Sequence, residues 1–368
     1  MKSKNIGLKN LILPGLIFQS LVISGGYGTG AELSQFFYPY GPAGGLLGLC
    51  LVTFGVWALV CAVSFEFSRT FKTYNYMTFF KKLLGKGWVL YELCYFIMLL
   101  LVLAVLSASA GLNFSHMFGV PGWVGKLLVS AFIIALVLGG TSAVEKFLSY
   151  WSYVLYAVYI IFLIVCFTRF GDNIARHFAI SPQVNQGWML GGAKYAFYNL
   201  GMIPAVLFST RHASARKHAV LSGIIAAAIA VIPAILLFVA MTGLYPQIAG
   251  VEAPVNAIFS ALQTPMLQYL FQIVLFGTLV ETGAGMIKAV SDRFESGFEA
   301  KGQGAPYWVR PLVCAICMSL GIGISTLGLT QLIENGYGSI SWGFLAVFVV
   351  PMLTIGVVKI AKAKGRRA

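Results

Sequence analysis

The sequence predicts an all-α polytopic membrane protein. Of its 368 residues, 59% are hydrophobic and only 10% are charged, and the mean hydropathy is +0.85. A soluble domain usually carries about 25% charged residues, so most of this surface must face lipid. Two apolar stretches are also interrupted midway by glycine, asparagine or proline, which predicts broken helices within the membrane.

Ten runs of apolar residues are long enough to cross a bilayer as helices, which takes roughly 20 residues each. They lie at about 10–37, 42–68, 88–115, 122–140, 147–168, 187–209, 218–243, 265–290, 309–327 and 338–360. Little chain remains for a separate soluble domain, so residues 1–368 are expected to form one transmembrane domain. The first run is too long for a signal peptide and should stay in the mature protein.

The net charge of +14 raises the alternative of a nucleic-acid-binding protein, and the distribution of the basic residues argues against it. With a cytoplasmic N-terminus, all but four of the 25 Lys and Arg residues fall on one side of the membrane. The exceptions are Lys126, Arg169, Arg176 and Lys194. This asymmetry is the positive-inside rule. We therefore expect a protein of the cytoplasmic (inner) membrane that contacts lipid, with both termini in the cytoplasm.

The first span contains the stretch Ser24-Gly25-Gly26-Tyr27-Gly28-Thr29-Gly30, in which four of the last six residues are glycine. Each glycine costs a helix about 1 kcal/mol relative to alanine, so the helix should break there, with flanks at 11–23 and 31–38. Irregular backbone at membrane depth occurs only where it is buried in protein or lines a cavity. The break is therefore a candidate binding site.

The ten spans divide into two sets of five, at about 10–168 and 187–360. Because five is odd, the second set must enter the membrane from the opposite side, which is the pattern of an inverted repeat. Such a repeat predicts that the sixth span is broken like the first. That span contains Asn199, Gly201 and Pro204, and the proline removes a backbone donor and frees polar groups before it. Two interrupted helices at corresponding places indicate a substrate site between them.

These motifs resemble the YkvI-type amino acid permeases of the amino acid/polyamine/organocation superfamily. The resemblance covers nearly the whole chain. It is carried by Gly25-Gly26-Tyr27-Gly28-Thr29-Gly30-Ala31-Glu32, by Lys194-Tyr195-Ala196-Phe197-Tyr198-Asn199 and by Glu281-Thr282-Gly283-Ala284-Gly285. It implies a LeuT-type fold with a five-plus-five inverted repeat and broken helices 1 and 6. It also implies alternating access around spans one, three, six and eight.

In such a fold the two breaks would suit a zwitterion. The N–H groups of residues 27–30 would receive a substrate carboxylate at the start of the outer half-helix. An ammonium group would face the carbonyls near Tyr198 and Asn199. The expected substrate-binding residues are Gly25, Gly26, Tyr27, Gly28, Thr29, Gly30, Glu32, Tyr195, Tyr198 and Asn199. A cationic ligand such as a polyamine or quaternary amine is the alternative, since Glu32 and Glu281 together would suit it.

Ionisable residues inside membrane spans cost at least about 2.5 kcal/mol each, so each is a functional candidate. Glu32 follows the first break and Lys194 precedes the second, which places both toward the outer side. The two are expected to pair as an outer gate or a proton-linked switch, because a carboxylate keeps a buried lysine charged. The alternative is a salt bridge that only stabilises the bundle.

Glu281 in the eighth span is favoured for ion coupling, and the alternative is an internal hydrogen bond. Thr278 and Thr282 lie close to it in sequence. In LeuT-type carriers a cation site lies between the first break and the inner half of the eighth span. A threonine hydroxyl with backbone carbonyls suits sodium, and a carboxylate suits sodium or a proton. The expected ion-coupling residues are Ser24, Lys194, Thr278, Glu281 and Thr282.

The leading interpretation is a secondary active transporter that uses sodium or a proton to move a small amino acid or related amine. It would need no cofactor and no metal beyond sodium. An exchanger of amines or organic cations, a germination-type receptor without flux and a channel stay open as alternatives. An enzyme is not expected, because the spans lack motifs such as His-Glu-x-x-His. The six cysteines lie within spans and predict no disulfide or metal site.

Overall fold

The computed structural model describes residues 7–139, 141–181, 184–299 and 306–365. Throughout these ranges the chain folds into helices joined by turns, as predicted for an all-α protein. Part of the basic pattern lies outside the described residues, namely Lys2, Lys4, Lys301, Arg366 and Arg367.

Helices succeed one another with short connections. In chain order they are α1 (Leu8–Val22), α2 (Gly25–Gly28), α3 (Ala31–Phe36), α4 (Gly41–Leu47), α5 (Phe54–Phe71), α6 (Tyr76–Leu84), α7 (Trp88–Phe118), α8 (Gly122–Leu138), α9 (Thr141–Ile180), α10 (Trp188–Leu200), α11 (Arg216–Thr242), α12 (Pro254–Leu262), α13 (Pro265–Glu299), α14 (Val309–Ile324), α15 (Leu329–Gln331), α16 (Gly338–Phe344) and α17 (Val357–Gly365). A π-helical turn joins α4 to α5, and further π-helical turns join α15, α16 and α17 into one interrupted rod.

Within the described ranges, seven helical stretches are long and apolar enough to cross a membrane. They are Ala31–Phe71, Tyr76–Phe118, Val154–Ile180, Arg216–Thr242, Pro265–Ser291, Val309–Leu327 and Leu329–Ala363. α1, α8 and α10 are shorter, at 15, 17 and 13 residues. Each predicted run overlaps one of these stretches or shorter helices. The count of ten crossings and the inverted repeat stay predictions.

Packing brings the two interrupted spans to the centre of the bundle. α1 packs along α11, which in turn packs along α5, while α2 contacts both α7 and α13. α10 packs against α16 and against the π-helical turn that precedes α5. The peptide groups of both interrupted spans are thereby surrounded by protein, as membrane depth requires.

Candidate substrate and ion site

The first span is interrupted, as predicted, but the glycines keep one helical turn. α1 ends at Val22, and Ser24 has an extended backbone with φ −117° and ψ −170°. Gly25–Gly28 then forms a single turn, closed by the Gly28 N–H donating to the Ser24 carbonyl at 2.8 Å. Gly30 follows with φ 80°, a left-handed conformation that favours glycine. The span therefore bends twice, before and after the glycine turn.

The sixth span is interrupted where its sequence predicts. α10 ends at Leu200, and a 3₁₀ turn at Ile203–Ala205, which contains Pro204, leads to a short 3₁₀ helix, Leu207–His212. The second half of this span is thus a tight 3₁₀ segment and not an α-helix. Proline accounts for the change, because it cannot donate the backbone hydrogen bond that would continue α10.

The carbonyls at this second break are already paired. Those of Tyr198 and Asn199 accept the N–H groups of Gly201 and Met202, at 3.1 and 3.0 Å. The carbonyl of Gly201 accepts the hydroxyl of Tyr91 at 3.0 Å. Each of these carbonyls thus accepts one hydrogen bond within the fold and keeps a second acceptor position. Binding of an ammonium group there stays a prediction.

Glu32, on α3 in the second half of the first span, reaches the sixth span and is 1% exposed. The Ser24 hydroxyl donates to one carboxylate oxygen at 3.2 Å, and the Tyr198 hydroxyl donates to the other. The peptide N–H of Tyr27 faces the same carboxylate. A Cβ added to Gly26 would lie 2.5 Å from Glu32 Oε1. The carboxylate is therefore packed directly onto the first break and connected to α10.

Lys194 is not the partner of Glu32. It is partly exposed on α10 and forms no salt bridge with Glu32, so the pair expected from the sequence does not form in this structure. Lys194 precedes Tyr198 by four residues, or about 6 Å along a helix. As α10 packs in this structure, the hydroxyl of Tyr198 reaches the carboxylate of Glu32, and the ammonium group of Lys194 does not. A role for Lys194 in ion coupling stays a prediction.

A cavity of about 550 Å³ lies beside the two breaks. Its walls come from α1, α7, α13, the sixth span on both sides of its break, and the π-helical turn that ends at Tyr337. It brings together five of the residues predicted for substrate or ion binding, namely Ser24, Tyr198, Asn199, Glu281 and Thr282. Three elements distant in sequence therefore meet at one site.

The other predicted residues lie behind this cavity. Residues 25–30 and Glu32 are buried beyond Ser24. Tyr195 is 0% exposed, and within the described part of the chain its hydroxyl has no hydrogen-bond partner. Thr278 donates its hydroxyl to the carbonyl of Val274 at 3.0 Å and faces a separate cavity of about 10 Å³. Substrate or ion binding by these residues stays a prediction.

Two contacts in this region were missed at the sequence level. Tyr337 lines the cavity from the helical stretch Leu329–Ala363, which contains the predicted tenth span, and its ring stacks on Tyr198 with centroids 4.7 Å apart. The signal was available, because Gly336-Tyr337-Gly338 resembles the glycine-flanked tyrosine of the first span. Gln19 of α1, 6% exposed, accepts the hydroxyl of Tyr156 at 3.0 Å, but neither residue lines the cavity. The sequence gave no signal for this pair, because Gln19 is a single polar residue in an apolar run.

The chemistry of the cavity wall is mixed. Glu281 supplies a carboxylate, and Ser24 and Thr282 supply hydroxyls, which are the oxygen ligands that hard cations take. Met98, Val102 and Met286 supply apolar surface. Such a wall can hold a small organic molecule with an apolar body, together with a cation near Glu281.

The fold is similar to solved structures of transporters. The match to the structure of MhsT in complex with L-phenylalanine covers 99% of this chain and 99% of that chain, at 15% identity and a TM-score of 0.57. The match to a manganese transporter variant from Eremococcus coleocola covers 96% of this chain and 80% of that chain, at 15% identity and a TM-score of 0.57. The match to a Na⁺-coupled sialic acid symporter in a substrate-bound outward-open state covers 95% of this chain and 88% of that chain, at 13% identity and a TM-score of 0.55.

These similarities confirm the predicted LeuT-type fold. No protein-family model matches the chain, and no curated protein matches its sequence. Membership of the YkvI-type permeases therefore stays a prediction.

Proposed function

We propose that this chain is a secondary active transporter of the cytoplasmic membrane, which couples a sodium ion or a proton to the movement of a small amino acid or related amine. The observation that carries the proposal is that two interrupted spans border one cavity of about 550 Å³ near the middle of the bundle. Interrupted helices around a central site are typical of carriers that work by alternating access. Two of the similar structures, the manganese transporter and the Na⁺-coupled sialic acid symporter, support this function.

The interruptions provide the joints at which the two spans would bend during transport. α1 ends before the glycine turn, and α10 ends before the 3₁₀ segment Leu207–His212, so each span consists of two halves with a joint at which the α-helix is not continuous. The joints can absorb changes in φ and ψ while the helical halves stay rigid. Ser24, Glu281 and Thr282 lie at the joint or opposite it, where a bound cation would respond to such a movement.

Flux measurements on reconstituted protein test the proposal. Proteoliposomes are exposed to the proteinogenic amino acids and to simple amines, under an inward gradient of either sodium or protons, and transient currents are recorded on a solid-supported membrane. We expect a saturable current for one substrate class under one gradient. Glu281→Gln should lose it, and Glu334→Gln, at an exposed position of the tenth span, should keep it.

Two results would contradict a carrier. A steady current that does not depend on any organic substrate would indicate a channel. Saturable binding without flux under either gradient would indicate a receptor.

A further inference from the structure

A groove separate from the central cavity lies where α5, α11 and α17 meet. Its volume is about 500 Å³, and none of the described residues lines both spaces. α5 and α11 pack closely beside the groove, since a Cβ added to Gly223 would lie 2.4 Å from the backbone nitrogen of Ala62. Leu59 and Val357 on its walls are 54% and 43% exposed. The groove therefore opens to the outside of the bundle, where the lipid lies.

Most of the groove wall is apolar, and its charged side chains lie toward one end. Glu66 and Arg216 are the two charged groups among the described residues that line it. Glu66 follows Leu59 by seven residues along α5, or about 10 Å. Arg216 is the first residue of the membrane-spanning stretch Arg216–Thr242, and Val220 lines the groove one turn deeper. The apolar part thus lies at the depth of acyl chains and Arg216 at the depth of headgroups.

The charged end of the groove carries one positive charge in excess. Glu66 is 3% exposed, and Arg69 donates to its two carboxylate oxygens from Nε and Nη2, at 2.7 and 2.8 Å. This pair is neutral as a whole. Arg216 is exposed and forms no salt bridge within the described part of the chain. Its guanidinium is therefore available to an anion, and a guanidinium suits a phosphate because it can donate two parallel hydrogen bonds.

We infer that this groove binds one anionic phospholipid, with the phosphate at Arg216 and an acyl chain along the apolar wall. An occupant at this depth must be apolar over most of its length and negatively charged at one end. Arg216 lies on the side predicted to be cytoplasmic, where anionic lipids attract Lys and Arg residues near the surface. A choline headgroup would bring a cation next to Arg216, so a lipid without net charge should bind less tightly.

The inference does not rest on the proposed transport, because the groove and the central cavity share no described lining residue. Native mass spectrometry of the delipidated full chain in detergent tests it. The protein is titrated with palmitoyl-oleoyl phosphatidylglycerol or with phosphatidylcholine of the same chains, so that only the headgroup differs. We expect an apparent Kd about fivefold lower for phosphatidylglycerol, which corresponds to about 1 kcal/mol for one Arg near an anionic surface.

Two controls identify the source of the phosphate. Glycerol 3-phosphate, which has the phosphate and no acyl chain, should not bind at the lipid concentrations used. Its binding there would indicate a site for a free phosphate ester and overturn the inference, as would equal affinity for the two lipids. A dimer that occupies the groove in place of lipid would assign the groove to a second copy of the chain and would also overturn it.

Matched variants locate the lipid. Arg216→Gln should lower the affinity for phosphatidylglycerol to that for phosphatidylcholine, whereas Arg211→Gln, at an exposed position outside the groove, should keep the difference. Ala361→Phe should fill the groove and weaken binding of both lipids, whereas Ala363→Phe, on the same helix but outside the groove, should not. Arg216 and Ala361 are exposed, so both variants should fold. An unchanged headgroup preference in Arg216→Gln overturns the inference, whatever the result with Ala361→Phe.

Discussion

The two sides of the broken spans are packed differently. On the side of Glu32, the rings of Phe37 and Tyr195 are 0% exposed, with centroids 5.2 Å apart. On the other side, the same two spans border the central cavity, and Phe208 on its wall is 47% exposed. The side with Glu32 is closed by packed side chains and is called the sealed side. The side with the central cavity is called the hollow side. A carrier that works by alternating access needs this asymmetry at any one moment.

A short helix holds the sealed side together. α12 lies across it, where the Val255 N–H donates to the carbonyl of Thr29 at 3.0 Å. The adjacent Asn256 donates to Asn113 of α7 at 3.0 Å. These bonds connect the first broken span to an unbroken one. Opening of the sealed side therefore requires α12 to detach, whereas the hollow side already gives access to the cavity.

The largest effect is expected from Glu281→Gln on the hollow side. Removal of the wall carboxylate should abolish ion-driven accumulation, because no other carboxylate among the described wall residues replaces it. Accumulation is measured by uptake of the substrate into proteoliposomes, and substrate binding by thermal shift. Retained binding with lost accumulation would assign Glu281 to ion coupling, and normal accumulation would exclude that role.

Asn256→Ala should loosen the sealed side. Asn256 both donates to Asn113 and accepts from Gln272, and all three side chains are buried. Each unsatisfied buried group costs about 1–3 kcal/mol. We expect faster amide hydrogen exchange in residues 25–36, measured by mass spectrometry. Ser260→Ala, at an exposed position of the same helix, is the control, and equal exchange in both variants would contradict the role given to α12.

Gly26→Ala should strain the sealed side at the carboxylate. The new Cβ would lie 2.5 Å from Glu32 Oε1, and overpacking of this kind costs about 1–3 kcal/mol. We expect a lower Tm. Gly55→Ala is the matched control, because no atom lies within 4 Å of its added Cβ. A Tm for Gly26→Ala as high as that of Gly55→Ala would mean that the close contact between Gly26 and Glu32 is absent.

Tyr337→Phe should have the smallest effect on stability. Its hydroxyl has no partner among the described residues, so its removal should change the free energy of unfolding by no more than about 0.5 kcal/mol. Chemical denaturation measures this change. A large loss of stability would reveal a structural bond to this hydroxyl.

The helices and their interruptions were largely predictable, whereas the side-chain contacts were not. Pro204 and the glycines of residues 25–30 identified both broken spans, because their effect on a helix is local. The single turn at Gly25–Gly28 was missed, since its stability depends on packing against α7 and α13. Gly28 was expected to border the substrate; an added Cβ there would lie 2.3 Å from Leu275 of α13, which does not line the central cavity, and substrate binding at Gly28 stays a prediction.

By itself, the sequence determined that this chain is a helical membrane protein with two interrupted spans. Hydrophobicity and backbone propensity act over one turn or one span, and both can be read from consecutive residues. Only the tertiary structure decided that Glu32 contacts Tyr198 and not Lys194. That choice depends on how deep and at what angle two helices pack, which neither helix specifies alone. The same packing placed Glu281 on the cavity wall and Glu32 behind it.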